Sequence, residues 1–249
     1  MIPIIWQDPA DGWFGAWKLN ADEETKRATA AKANGNDYDF KSEIWTELKD
    51  HLAKLLHNKC AYCESKIRHV MPGDMEHYRP KSKVTDCPAH PGYYWLAYEP
   101  LNLLLSCELC NRAGGKMNRF PTQDDQWRMG PADAQVESPL LLNPYVDDPH
   151  QHLAFAPPLD NKPLGTIQGL TSRGEKTIEI CRLYREELNE MRREAQRNTI
   201  NLLNSAVFTR SLESVSKQLQ SGEKEFAAAC LAVAVDWIAD IREQMAGLQ

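Results

Sequence analysis

Long apolar runs are missing from this 249-residue chain. No stretch of eighteen apolar residues occurs, so no segment is expected to span a membrane. The opening MIPIIWQDPADGW has neither a basic leader nor a long apolar stretch, so a secretion signal is not expected and a cytoplasmic protein is. An excess of positive charge is missing too. Twenty-nine Lys and Arg against 35 Asp and Glu give a formal charge of −6, which argues against a generic nucleic-acid binder. No internal repeat or low-complexity tract is visible, which argues against a solenoid or a disordered spacer. Cysteine is sparse and odd in number, seven in all, so a disulfide framework is the weaker reading.

What is present is first a soluble globular composition, 42% hydrophobic and 26% charged, in a chain long enough to bury a core without cross-links. The net charge hides a split. Residues 51–120 carry ten basic and six acidic side chains, or +4, which leaves −10 for the remainder. The same block holds five of the seven cysteines and five of the seven histidines. Four of the cysteines form two C-x-x-C pairs, Cys60/Cys63 and Cys107/Cys110. Two such knuckles fit a tetrahedral four-thiolate zinc site, each presenting two sulfurs to one ion. Cys181 and Cys230 lie in apolar helical patterns and are expected to pack in the core, and Cys87 is expected to be a loop thiol.

Periodicity places these residues. The reading gives a short exposed helix at 22–33 and a firm helix at 42–57, with Ser42 as N-cap and Ile44, Trp45, Leu48, Leu52, Leu55 and Leu56 on one face. Residues 64–71 and 74–79 read as extended around a Pro72–Gly73 turn. Residues 93–98 read as one or two helical turns, 101–106 as a strand and 111–119 as a helix weakened by Gly114–Gly115. Short strands are expected near 139–142, 152–156 and 164–168. Helices follow at 173–183, 184–206, 209–220 and 222–246. The expected organisation is α+β in three parts: an N-terminal segment 1–41, a zinc-braced core 42–135, and a region 136–249 of short strands followed by helices.

Between the knuckles lie residues suited to phosphodiester chemistry. Glu76-His77 ends a strand-like run, Asn102 opens the strand that leads to the second knuckle, and Asn111 follows Cys110. Hydrolysis of a phosphodiester needs a base for water and a cation for developing charge. His77 suits the base, and Glu76 and Asn111 offer hard oxygen ligands that favour Mg²⁺ or Mn²⁺. Strand neighbours point to opposite faces, so Glu76 and His77 share a site only where the strand ends or kinks. Arg79, Lys81, Lys83, Arg112, Lys116 and Arg119 are candidate phosphate contacts. Tyr93, Tyr94, Trp95 and Tyr98 are expected to fill a small core rather than stack on bases. The six histidines other than His77 are read as surface or packing residues, although the loop of His90 lies within reach of the site.

The phrases CAYC, MEHYRPK and NLLLSCELCN, with a lysine after them, resemble the HNH nuclease superfamily over about residues 59–120. That resemblance implies a ββα-metal fold braced by structural zinc on Cys60, Cys63, Cys107 and Cys110. It implies His77 as general base, Glu76 as ligand of the catalytic metal and Asn102 as the residue that holds the hairpin. Asn111 stands at the last metal-ligand position, where the family often has His, which makes the motif H-N-N. EHYRPKSKV, YYWLAYEPLNLLLSC, NRAGGKMNRFP and SPLLLNPYVDDPHQHLAF, with the helical GLTSRGEKTIEICRLYREELNEMR, are similar to the nuclease subunits of Septu anti-phage systems over about residues 40–200. The implied partners are a nucleic-acid substrate, DNA before RNA, and an SMC/ABC-like ATPase. In some systems a retron reverse transcriptase with its msDNA is attached. Two alternatives stay open: a non-catalytic zinc-braced module that binds nucleic acid or a partner, and an RNA-cutting toxin that uses the same site.

Overall fold

The computed structural model describes residues 1–112, 114–157, 162–209 and 211–246. Residue 113 of the expected 111–119 helix and residue 210 of the expected 209–220 helix lie outside the described residues. The first helix is longer than expected: α1 runs Phe14–Ala33. Its buried positions Phe14, Trp17, Ala21, Glu24 and Ala28 recur every three or four residues and form one stripe. Glu24 can sit in that stripe because Arg27, Lys41 and Tyr38 surround its carboxylate.

The expected helix 42–57 is two helices, α2 (Ser42–Glu47) and α3 (Lys49–Leu55), broken at Leu48. Lys41 rather than Ser42 occupies the N-cap, and no side chain caps it. His57 and Asn58 then take positive φ and turn the chain into the first knuckle. Residues 64–71 are turns, not a strand, because the knuckle closes on itself. Cys60 N–H donates to the Ser65 carbonyl and Glu64 N–H to the Cys60 carbonyl. One bridge, Lys59 to Lys66, fastens the base of this loop.

Strands β1 (Asp74–His77) and β2 (Leu103–Ser106) form an antiparallel pair with Glu76 opposite Leu104 and His77 opposite Leu103. β2 runs into α4 (Glu108–Asn111), which carries the second knuckle and packs on β1. A second antiparallel pair joins β3 (Leu153–Phe155) and β4 (Ile167–Gly169). No strand forms at 139–142, where a single bridge links Thr122 to Pro139. Four helices follow: α5 (Ser172–Ile180), α6 (Glu186–Thr209), α7 (Leu212–Gln220) and α8 (Ala227–Ala246). The architecture is α+β with mostly helical surroundings. No helix among the described residues is long and apolar enough to cross a membrane.

One hydrophobic cluster draws on all three expected segments, from Met1 and Trp17 through Leu52 and Leu104 to Leu188 and Ala229. A smaller one, with Leu203, Val215, Leu219 and Ala234, binds α6, α7 and α8 together. Cys181 and Cys230 are buried in these clusters, as their apolar settings predict. Tyr93, Tyr94, Trp95 and Tyr98 are buried as well. The C-terminal helices are fastened to the first knuckle: Lys59 donates to the Gly222 and Lys224 carbonyls, and Ala228 N–H reaches Glu64.

Candidate functional site

The four paired cysteines converge, and all are buried. Their sulfurs lie within 4.8 Å of one another, with Cys63 and Cys107 at 3.8 Å. A tetrahedron of sulfurs around zinc at about 2.3 Å has edges of about 3.8 Å, so the cluster fits such an ion. Four crowded thiols also divide their protons. Hydrogen bonds from neighbouring thiols push Cys63 and Cys107 down. Burial pushes Cys60 up, and the bond to Cys107 pushes Cys110 up. Arg185, between α5 and α6, aims its guanidinium at the Cys110 sulfur from 3.7 and 3.8 Å. A positive group there offsets part of the thiolate charge that a metal centre would carry. Nothing local in the chain marks Arg185 for this position.

The two faces of β1 carry different groups. Glu76 is 3% exposed. Its Oε1 lies 2.5 Å from the Lys116 ammonium and 3.5 Å from the Tyr62 hydroxyl. Burial pushes its carboxyl up from the ordinary range, and Lys116 pulls against that shift. Asp74 stands two residues earlier on the same face. Its carboxylate accepts from the Asn111 amide at 3.2 Å and from the Arg112 guanidinium at 2.8 and 2.9 Å. Ser106, opposite Asp74, has a buried hydroxyl with no partner among the described residues.

His77 is the last paired residue of β1. Its ring meets Trp45 edge to face at 4.9 Å, and Nε2 lies 2.9 Å from the Ala97 carbonyl. A carbonyl only accepts, so the proton sits on Nε2 and Nδ1 keeps the lone pair. Burial, helped by the neighbouring charge of Lys81, lowers the His77 pKa to about 3. Lys81 itself lies over the Trp45 ring, 4.9 Å from its centre.

Asn102 ties this end of the hairpin together. Its amide donates to the Arg79 and Leu96 carbonyls at 3.0 Å and accepts from Arg79 N–H at 2.8 Å. Arg79 follows His77 by two residues and Leu96 precedes Ala97, so one buried amide ties the end of β1 to the segment that carries the Ala97 carbonyl.

The basic candidates separate. Arg79 pairs with Glu137, Arg112 with Asp74, Arg119 with Glu179, and Lys116 is fully buried against Glu76. Lys81 and Lys83 have no acidic partner within salt-bridge reach among the described residues. Both ring nitrogens of His90 are occupied, Nε2 by the Arg128 carbonyl and Nδ1 by Gly92 N–H. Reading along the chain missed Asp74, Tyr62 and Trp45. Asp74 alone had a signal, its i,i+2 spacing from Glu76.

No family model and no solved structure matches the chain. The chain is similar to the Septu protein PtuA of Bacillus mycoides strain KBAB4, 30% identical over 161 residues that cover 62% of this chain and 21% of that protein. It is similar to the Septu protein PtuB of the same strain, 38% identical over 179 residues that cover 68% of this chain and 57% of that protein. The match spans little more than half of that PtuB protein, and over it the chain is PtuB-like.

Proposed function

We propose that the chain is a metal-dependent HNH endonuclease, the nuclease component of a Septu-type anti-phage system. The observation that carries this reading is the His77 ring. It is held through Nε2 by the Ala97 carbonyl, which leaves Nδ1 as the acceptor nitrogen, at the end of a hairpin that is continuous with the four-cysteine cluster. Every residue of the proposed site falls within 42–135, and β1, β2 and α4 are read as the ββα-metal core.

Nδ1 of His77 takes a proton from the attacking water. Asn102 keeps the ring in place while the proton moves. Lys81, close to the ring and without an acidic partner, is placed to meet a phosphate. The hard oxygens of Glu76 and Asn111 would hold a Mg²⁺ or Mn²⁺ ion, and the orphaned Ser106 hydroxyl on the same face fits a polar occupant. That ion, when bound, supplies positive charge for the phosphate and the departing 3′ oxygen. The product then ends in a 5′-phosphate. Zinc on the four cysteines is structural. The acidic remainder of the chain suits docking to a PtuA-like SMC/ABC-type ATPase that brings the enzyme to its substrate, with DNA favoured over RNA. A retron reverse transcriptase and msDNA are optional members of the assembly.

The test is cleavage of plasmid DNA and an RNA pool by the zinc-loaded chain with its ATPase, in Mg²⁺ or Mn²⁺. His77→Ala is expected to cut at least ~100-fold more slowly, the range general-base loss gives, when compared with wild type at a temperature where both remain folded and zinc-loaded. Equal cutting by both proteins, or none by the wild type, would overturn the assignment. The non-catalytic module predicts that second result with binding retained.

A further inference from the structure

Lysine is almost never fully buried without a partner. Lys116 is fully buried, and its ammonium has three acceptors. They are Glu76 Oε1 at 2.5 Å, the His77 carbonyl at 2.9 Å and the Met117 carbonyl at 3.5 Å. All three N–H donors are thereby used. The backbone fixes this placement. Lys116 N–H donates to the Cys110 carbonyl at 2.8 Å and Met117 N–H to the Asn111 carbonyl at 2.6 Å. Gly115 permits the turn, since a Cβ there would stand 2.5 Å from the Cys110 carbonyl oxygen. The second knuckle thus aims Lys116 at the hairpin.

We propose that Lys116 is the built-in counter-ion of Glu76, and that a divalent cation reaches this carboxylate only by displacing the ammonium. The inference rests on Glu76 being a metal ligand. An ion on either Glu76 oxygen would stand close beside Nζ, where like charges repel strongly at low dielectric. The ammonium can withdraw without losing every acceptor, because the His77 and Met117 carbonyls remain. The resting chain therefore holds a low-affinity cation site, and loading it moves the turn at 114–117 that hangs from the second knuckle. This role differs from a phosphate contact, for which a fully buried lysine offers no surface.

The experiment is a Mn²⁺ titration of the zinc-loaded full chain, followed by electron paramagnetic resonance without nucleic acid. Lys116→Met and Lys116→Gln are expected to bind Mn²⁺ at least about tenfold more tightly than wild type. Glu76→Gln is expected to abolish binding in each background. Equal affinity in wild type and both neutral variants, with Glu76→Gln still weakening it, overturns the counter-ion and leaves the metal reading standing. Binding indifferent to Glu76→Gln overturns both. Should neither neutral variant fold, judged by zinc content and melting, the wild type decides. Acylation of Lys116 by an amine reagent is expected to accelerate at saturating Mn²⁺, and an unchanged rate overturns the proposal.

Discussion

On one face of the β1–β2 hairpin a carboxylate is buried with an ammonium against it. On the other an imidazole is buried against a tryptophan, a carbonyl and a lysine. Glu76 and Lys116 answer the cost of burial by neutralising each other. His77 answers it by staying uncharged, its pKa lowered to about 3. Adjacent residues on one four-residue strand thus meet the same low dielectric in opposite ways, because strand alternation sends them to different neighbours. On the proposed reading the carboxylate would hold a cation and the imidazole would take a proton at one site, which the two side chains can share because pairing of β1 ends at His77.

Breaking the charged face is expected to cost most. Glu76→Ala leaves the Lys116 ammonium buried without its acid, a loss of about 3–5 kcal/mol. Urea denaturation of the zinc-loaded chain measures it. Replacing both partners, Glu76→Leu with Lys116→Met, is expected to recover most of that loss, since two apolar groups leave no orphaned charge. A double variant no more stable than the single one would mean that the pair is not the source of the loss.

The neutral face predicts a pH dependence of definite sign. An unfolded His77 titrates near its ordinary 6.5, and the folded one near 3. Between those values the unfolded chain binds the extra proton. Stability is therefore full above about pH 6.5 and declines as pH falls toward 3, where both states are protonated. His77→Gln removes this dependence. The wild type should lose more stability than His77→Gln between pH 7.5 and pH 5, by an amount on the order of 1–2 kcal/mol. Parallel losses would show that the imidazole is not held neutral.

What could be read from the chain was what its spacing encodes directly. Two C-x-x-C pairs carry their geometry within four residues, and Cys60, Cys63, Cys107 and Cys110 converge as that spacing requires. Asn102, expected to open the strand, stands instead in the turn Pro100–Asn102 just before β2, where its amide bonds the Arg79 backbone and the Leu96 carbonyl. Lys116 was not legible. Gly114–Gly115 looked like a weakness in a helix, whereas it is the turn that carries Lys116 inward to a carboxylate forty residues away. No local pattern records such a partner. Residues 14–21 of α1 were missed for a different reason: only Phe14, Trp17 and Ala21 mark the buried stripe there, with Gly15 among them, too few positions to establish a period.

The same chemistry at the surface gives the smallest effect and sharpens the contrast. Arg119 and Glu179 lie 3.0 Å apart, comparable to a buried pair, but their side chains are 34% and 51% exposed. Water and salt screen them, and Lys176 remains 2.6 Å from Glu179 when Arg119 is gone. Arg119→Ala is therefore expected to cost roughly 0.2–1 kcal/mol, less at high salt. Denaturation at low and at high ionic strength checks this. Glu76→Ala should cost several times more, and salt should change it far less, because solvent does not reach its partner. If the surface variant cost as much as the buried one, burial would not be what separates them, and the opposed treatment of Glu76 and His77 would need another cause.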